Sequence, residues 1–165
     1  PSASCGGFVR NYYHDLLKET PYYGEYERVK KNMVELTDFL VHHIGITDLG
    51  ATFNAKVTYH DACAALREYG IFEEPRKLLS QVRGLELVEM EENDVCCGFG
   101  GTFSVKNEPI STAMAQQKVR NAINTGAEYI VSTEASCLMH LDGYIRKHKL
   151  PVKTIHIADV LAAGW

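Results

Sequence analysis

From residue 51 onward, short apolar runs of strand character alternate with amphipathic stretches of helical spacing, and this alternation constrains the fold more than any other feature of the chain. Strands are expected at 56–60, 85–90, 128–132 and 152–155, with helices at 76–82, 109–124, 135–148 and 157–163. The longest uninterrupted helical stretch has Pro109 near its start and Gly126 just past its end, the usual placement of a helix-starting proline and a helix-stopping glycine. A strand–helix alternation joined by right-handed crossovers builds a mostly parallel four-stranded sheet with helices on both faces. The expected fold is therefore an α/β, three-layer, Rossmann-like domain over 51–165.

The preceding third reads differently. Between Phe8 and Lys18, and from Tyr22 to about Ile44, apolar residues recur at helical intervals, among them Val29, Met33, Leu36, Phe39 and Leu40. Pro21 separates the two stretches and Gly45 closes the second. Residues 1–50 are expected to form a helical segment, joined to the α/β domain through Thr47-Asp-Leu-Gly-Ala51. The tyrosines gathered at Tyr12-Tyr13 and Tyr22-Tyr23-x-x-Tyr26 fit this segment packing on the core better than they fit a partner-docking patch.

Composition removes several function classes. With 45% hydrophobic and 23% charged residues among 165, the chain can bury an ordinary core. No stretch approaches the ~18 apolar residues of a membrane span, and Pro1-Ser-Ala-Ser-Cys5 lacks the basic and apolar regions of a signal peptide. A cytoplasmic location is the default expectation. The formal charge of −4, with Lys and Arg dispersed, argues against nucleic acid as a partner, because phosphate binding needs clustered positive charge. Five cysteines are an odd number in a chain with ample core, so reduced thiols that bind metal or do redox chemistry fit better than a disulfide scaffold.

Those thiols fall at telling places. Cys63 follows the first expected strand by three residues, Cys96 and Cys97 lie in the loop after the second, and Cys137 opens the helix after the third. In open α/β sheets the carboxyl ends of the strands form the ligand crevice, so all four are expected to converge there. Adjacent α-carbons lie only about 3.8 Å apart, so the paired thiolates of Cys96-Cys97 suit a centre of several metal atoms and make a poor disulfide. Thiol–disulfide catalysis at that pair ranks last for the same reason. The spacing Cys63-x32-Cys96-Cys97-x39-Cys137 contains no Cys-x2-4-Cys knuckle of the zinc type. An iron–sulfur cluster fits better, with zinc as the alternative. His140, three residues past Cys137 on the same helix face, is a further candidate ligand or a histidine packed beside the site. His60-Asp61 reads as a structural pair at a strand end before it reads as an acid–base pair. Gly98-Phe-Gly-Gly101 lacks the spacing of a phosphate loop and is expected to permit the tight turn that presents two successive sulfurs.

With these residues in view, the chain resembles the cysteine-rich CCG-domain family, found in the heterodisulfide reductase B subunit, the glycolate oxidase iron–sulfur subunit and the iron–sulfur proteins of lactate utilisation. The family pattern is a cysteine, some thirty residues, Cys-Cys-Gly, a similar gap and Cys-x-x-Cys. Cys63, Cys96-Cys97-Gly98 and Cys137 match it in order. The likeness is fullest with the lactate-utilisation branch, through Thr58-Tyr-His-Asp-Ala-Cys63, Cys96-Cys-Gly-Phe-Gly-Gly-Thr-Phe-Ser-Val105 and Ser132-Thr-Glu-Ala-Ser-Cys-Leu-Met-His140. The resemblance implies an iron–sulfur electron-transfer subunit, not itself catalytic, working with other subunits of a lactate or glycolate oxidation complex. Cys63, Cys96, Cys97 and Cys137 would hold the cluster. His140 stands where the heterodisulfide reductase pattern has its final cysteine, which leaves three arrangements open: a four-iron cluster on four cysteines, a non-cubane cluster completed by His140 or an exogenous group, and zinc. Family members carry two such units in tandem, and Ala3-Ser-Cys5 repeats Ala135-Ser-Cys137. By that resemblance residues 1–50 hold the end of a truncated first unit with Cys5 as its last cysteine, and the chain is a C-terminal fragment. Such a fragment, handled in air, is expected to lose its cluster readily.

Overall fold

The computed structural model describes residues 2–164. Four strands, β1 (Thr52–Tyr59), β2 (Arg83–Leu87), β3 (Tyr129–Ser132) and β4 (Lys153–His156), form one sheet in the order β2-β1-β3-β4, and every neighbouring pair is parallel. Side chains alternate along each strand, and both faces are apolar. Val57, Tyr59 and Val131 point to one face, where α4 (Glu73–Leu79) and α8 (Ile157–Leu161) cover them with Leu78, Leu79, Val160 and Leu161. Ile130 points to the other, under α6 (Glu108–Asn124) and α7 (Ala135–His148), which contribute Ala115, Val119, Ala122, Leu141 and Ile145. Each fully buried aliphatic side chain of this kind is worth about 1.5–3 kcal/mol. The three-layer α/β architecture expected from the alternation is the one observed.

Element boundaries depart from the periodicity in instructive ways. β1 begins at Thr52, four residues earlier than its apolar run, because Thr52 already pairs with Arg83 and its amide donates to the Ala163 carbonyl at 2.9 Å. α4 starts at Glu73 and takes Pro75 into its first turn, where a missing N–H costs nothing; Glu73 and Glu74 there suit the helix dipole. α7 occupies the residues the sequence assigned to it. Short α5 (Phe103–Lys106) has no counterpart in the periodicity.

Ahead of the sheet, α1 (Ala3–Leu17) packs on the wide helical turn Ala65–Tyr69 that follows β1. Gly6 and Gly7 allow the approach: a Cβ on Gly6 would lie 2.8 Å from the Tyr69 ring. The helix expected from Tyr22 to Ile44 is broken. α2 (Tyr23–Asn32) stops before Glu35, whose buried carboxylate accepts from the Thr37 amide and hydroxyl at 2.6 Å each and so caps α3 (Leu36–Asp38). α3 continues as a wide turn over Phe39–Ile44. Tyr26 is buried and donates to the Val9 carbonyl at 3.2 Å, whereas Tyr12, Tyr13 and Tyr22 remain exposed, so the tyrosines divide between core and surface. Among the described residues no helix is long and apolar enough to cross a membrane.

Candidate metal centre

Chain order on the sheet fixes where the site lies. β1 leads outward to β2, the chain then returns past β1 to β3, and the direction reverses between β1 and β3. A crevice opens at such a switch point beyond the carboxyl ends of the strands. Here three segments are stitched together by hydrogen bonds to backbone carbonyls. His60 N–H donates to the Val131 carbonyl at 2.9 Å, Asp61 N–H donates to the Asn93 carbonyl at 3.1 Å, and the Ser132 hydroxyl donates to the His60 carbonyl at 2.9 Å.

Side chains brace the same junction. The Arg76 guanidinium on α4 grips the buried Asp61 carboxylate through two bonds, at 2.7 and 3.0 Å, and Glu89 at 2.8 Å. Two-pronged pairing of this kind holds a loop at a fixed angle as well as neutralising a buried charge. From below, α6 holds the loop that carries Cys96-Cys97. Lys118 donates its ammonium to the Glu92 carbonyl, Asn121 donates to the Glu91 carbonyl at 2.9 Å, and the Ser111 hydroxyl donates to the Gly98 carbonyl at 2.7 Å. Gly98 sits at φ +95°, and its amide donates to the Cys96 sulfur at 3.4 Å.

Into this frame the donors converge. A ring nitrogen of His60 and the sulfurs of Cys97 and Cys137 all lie within 4.8 Å of one another, and all three residues are buried. Cys63 and Cys96, both half-buried, lie beside them, near enough for Cys96 and Cys97 to act on the Cys63 thiol. Cys97 is pulled down to about 4, chiefly by the thiol hydrogen bond from Cys137, against its burial, with the Phe99 amide assisting. Cys137 is driven far upward by that same bond, by burial and by the negative charge on Cys97. Burial, then Cys96, pushes Cys63 up as well. Negative charge thus concentrates on Cys97, while Cys137 and Cys63 hold their protons more tightly. A bound cation would offset that charge, and metal binding to such sites releases protons.

Each expected site residue can now be placed. Cys97 and Cys137 meet directly, Cys63 and Cys96 meet each other, and the charge on Cys97 bears on Cys63. His140 points elsewhere: its Nε2 lies 3.2 Å from the Ser111 hydroxyl and its ring packs near Phe99, in an open pocket shared with Ser104, Thr112 and Tyr144. It is not among the gathered donors. Neither is Cys5, exposed on the first turn of α1. The two Ala-Ser-Cys sequences do approach each other, because the buried Glu134 carboxylate accepts from the Ser4 amide at 2.7 Å and from the Ser4 hydroxyl at 2.9 Å.

Two residues at the site escaped the sequence reasoning as functional groups. His60 occupies a strand's carboxyl end, the criterion that selected the cysteines, and stands three positions before Cys63. Lys118 had a signal too: it falls at helical spacing within the buried stripe Ser111, Ala115, Val119, Ala122, where a lysine has no business in an ordinary core. Its ammonium is desolvated and its pKa lowered by burial, while Asp94 and Cys97 favour the charge.

Comparison with known proteins agrees with the geometry. The pattern that defines the CCG cysteine-rich domain matches residues 57–142, a span that contains Cys63, Cys96, Cys97 and Cys137. Lactate utilization protein A of Oceanobacillus iheyensis is 40% identical over 161 residues, covering 98% of this chain and 66% of that protein. The protein of the same name in Bacillus subtilis is 40% identical, with 98% and 68% covered, and the uncharacterized protein YkgE of Escherichia coli is 39% identical, with 98% and 67% covered. The chain spans about two thirds of the length of these curated relatives. Cysteine spacing, a buried convergence of thiols at the switch point and identity along nearly the whole chain lead to one assignment: the chain belongs to the CCG cysteine-rich domain family.

Proposed function

We propose that this chain is an iron–sulfur electron-transfer component of a 2-hydroxy-acid oxidation system, with L-lactate as the acid and glycolate as the alternative. The observation that carries the reading is the buried meeting of Cys97 and Cys137 beyond the strand ends, within 4.8 Å of each other and of a His60 ring nitrogen, with the half-buried Cys63 near enough to feel the charge on Cys97. The relatives named for lactate utilization supply the acid. The donor set fits the group, since soft thiolates suit iron–sulfur centres and zinc, and the four cysteines would hold it. When bound, such a cluster supplies a one-electron couple, and oxidation of lactate to pyruvate releases two electrons and two protons.

The chain's own groups then have definite tasks. Burial of Cys97 and Cys137 keeps water from the sulfurs. The Gly98 amide on the Cys96 sulfur withdraws electron density from it, and the Lys118 ammonium offsets negative charge beside Cys97; hydrogen bonds and charge near the sulfurs are the levers that set reduction potential. Partner subunits, in the cytoplasm, would deliver and accept the electrons. A second reading, a zinc-binding module without redox role, draws on the compact grouping of His60, Cys97 and Cys137, which is small enough for a single ion.

One anaerobic preparation separates the two. Iron with acid-labile sulfide, and visible absorption bleached by dithionite, is the expected result; equimolar zinc in a colourless protein would sink the redox reading. With the partner subunits present, L-lactate should bleach the same absorption, and bleaching by glycolate alone would overturn the choice of acid.

A further inference from the structure

We infer that His60 is a metal ligand, binding through Nε2 and completing the cysteine set as its nitrogen donor. The inference rests on the reading of this crevice as a metal centre and extends it to a residue outside the cysteine pattern. Strand alternation places His60 on the same face as Thr58 and Ile130, under α6 and α7, where Cys97 and Cys137 also lie. The ring is wholly buried, and one of its nitrogens lies within 4.8 Å of both sulfurs.

The other end of the ring decides which nitrogen is available. Nδ1 lies 3.3 Å from the Asn93 carbonyl. A carbonyl oxygen can only accept, so Nδ1 carries a proton, and in the neutral ring the available lone pair is that of Nε2. Among the described residues Nε2 has no hydrogen-bond partner. Leaving a buried polar atom unsatisfied costs about 1–3 kcal/mol, and folded proteins rarely tolerate it without a reason. A ring held by one nitrogen on a backbone carbonyl with the other directed to metal is the common arrangement of metal-bound histidine.

The surroundings are built to hold that ring still. Asn93 is fixed by the Asp61 amide on its carbonyl and by its own side-chain bond to Glu89 at 2.9 Å, while Arg76 clamps both Asp61 and Glu89. His140, the nitrogen donor suggested by the Cys137-x-x-His140 spacing, is occupied with Ser111. Tertiary structure thus hands the role to a histidine 80 residues earlier in the chain.

Pulsed electron paramagnetic resonance on the reconstituted, dithionite-reduced protein, with histidine labelled by nitrogen-15, tests the assignment. The expected result is one strongly coupled histidine nitrogen, unchanged in His140→Ala and lost in His60→Cys. The cysteine variant keeps a ligand at the position, and its added negative charge should move the midpoint potential downward. Absence of strong nitrogen coupling in the unaltered protein overturns the inference without any variant having to fold; so does its loss in His140→Ala or its survival in His60→Cys. If the preparation holds zinc, the redox reading fails while the ligand assignment is still decided. X-ray absorption at the zinc edge should then give a nitrogen scatterer at about 2.0–2.1 Å, and an all-sulfur shell would overturn it.

Discussion

Gly98 illustrates how much one position can carry. It was expected to be a glycine for the sake of a tight turn, and φ +95° bears that out. The fold adds a second demand: a Cβ there would lie 2.6 Å from the Ser111 carbonyl oxygen and 2.9 Å from the Met114 Cβ on α6. Neither neighbour can retreat, one being helix backbone and the other the root of a side chain. Gly98→Ala is therefore expected to lower stability by about 2–4 kcal/mol, combining left-handed strain with overpacking, and to reduce metal loading because the turn presents Cys96 and Cys97. Urea unfolding and metal content check both, and an unchanged midpoint would contradict the packing argument. At this scale the position of the four cysteines after strands β1, β2 and β3 was legible, because strand ends can be located from sequence. His60 and Lys118 were not, because what marks them is a missing partner and a desolvated charge, and both depend on neighbours contributed by other parts of the chain.

Among the elements, the N-terminal helices are tied to the α/β layers by polar contacts, several of which involve titratable groups. His42, on the wide turn after α3, meets Glu74 on α4 at 2.8 Å. Burial pushes the Glu74 carboxyl up, but the bonds from His42 and from the Glu74 and Phe72 amides outweigh it, and the net shift is downward. A carboxyl lowered in the folded state contributes stability that is fully present above the ordinary carboxylate pKa of about 4.3 and is lost as pH falls through the folded value. Since His42 is half-exposed, Glu74→Gln should cost only about 0.5–1 kcal/mol near neutrality. The difference from the unaltered protein should vanish in strong acid, as read by urea unfolding at several pH values; a difference that persists there would assign the effect to packing. α7 could be read from sequence to its ends because its apolar residues keep helical spacing throughout. The break at Glu35 could not, since a glutamate cap is an unusual stop signal and the periodicity runs on through it. The wide turns at Phe39–Ile44 and Ala65–Tyr69 likewise follow from packing, the latter against α1.

For the molecule as a whole, the site joins segments that the sheet alone does not hold. The loop between β2 and α5 and the first turn of α7 close on one another through Cys97 and Cys137. Anything bound to the folded state alone stabilises it, by about 4 kcal/mol when free ligand exceeds its dissociation constant a thousandfold. Metal removal should lower the melting temperature and raise hydrogen exchange in residues 88–102 and 133–138 far more than in the sheet. An unchanged melting temperature, or an even rise in exchange across the chain, would contradict the role given to the crevice. Sequence by itself determined that this is a parallel α/β protein and that its cysteines belong at strand ends, because apolar periodicity and strand position are local properties written residue by residue. Only the tertiary structure decided the strand order that puts the switch point between β1 and β3, drew His60 into the thiols and turned His140 toward Ser111. Those outcomes depend on which distant groups meet and which buried atom is left without a partner, and no local pattern encodes that.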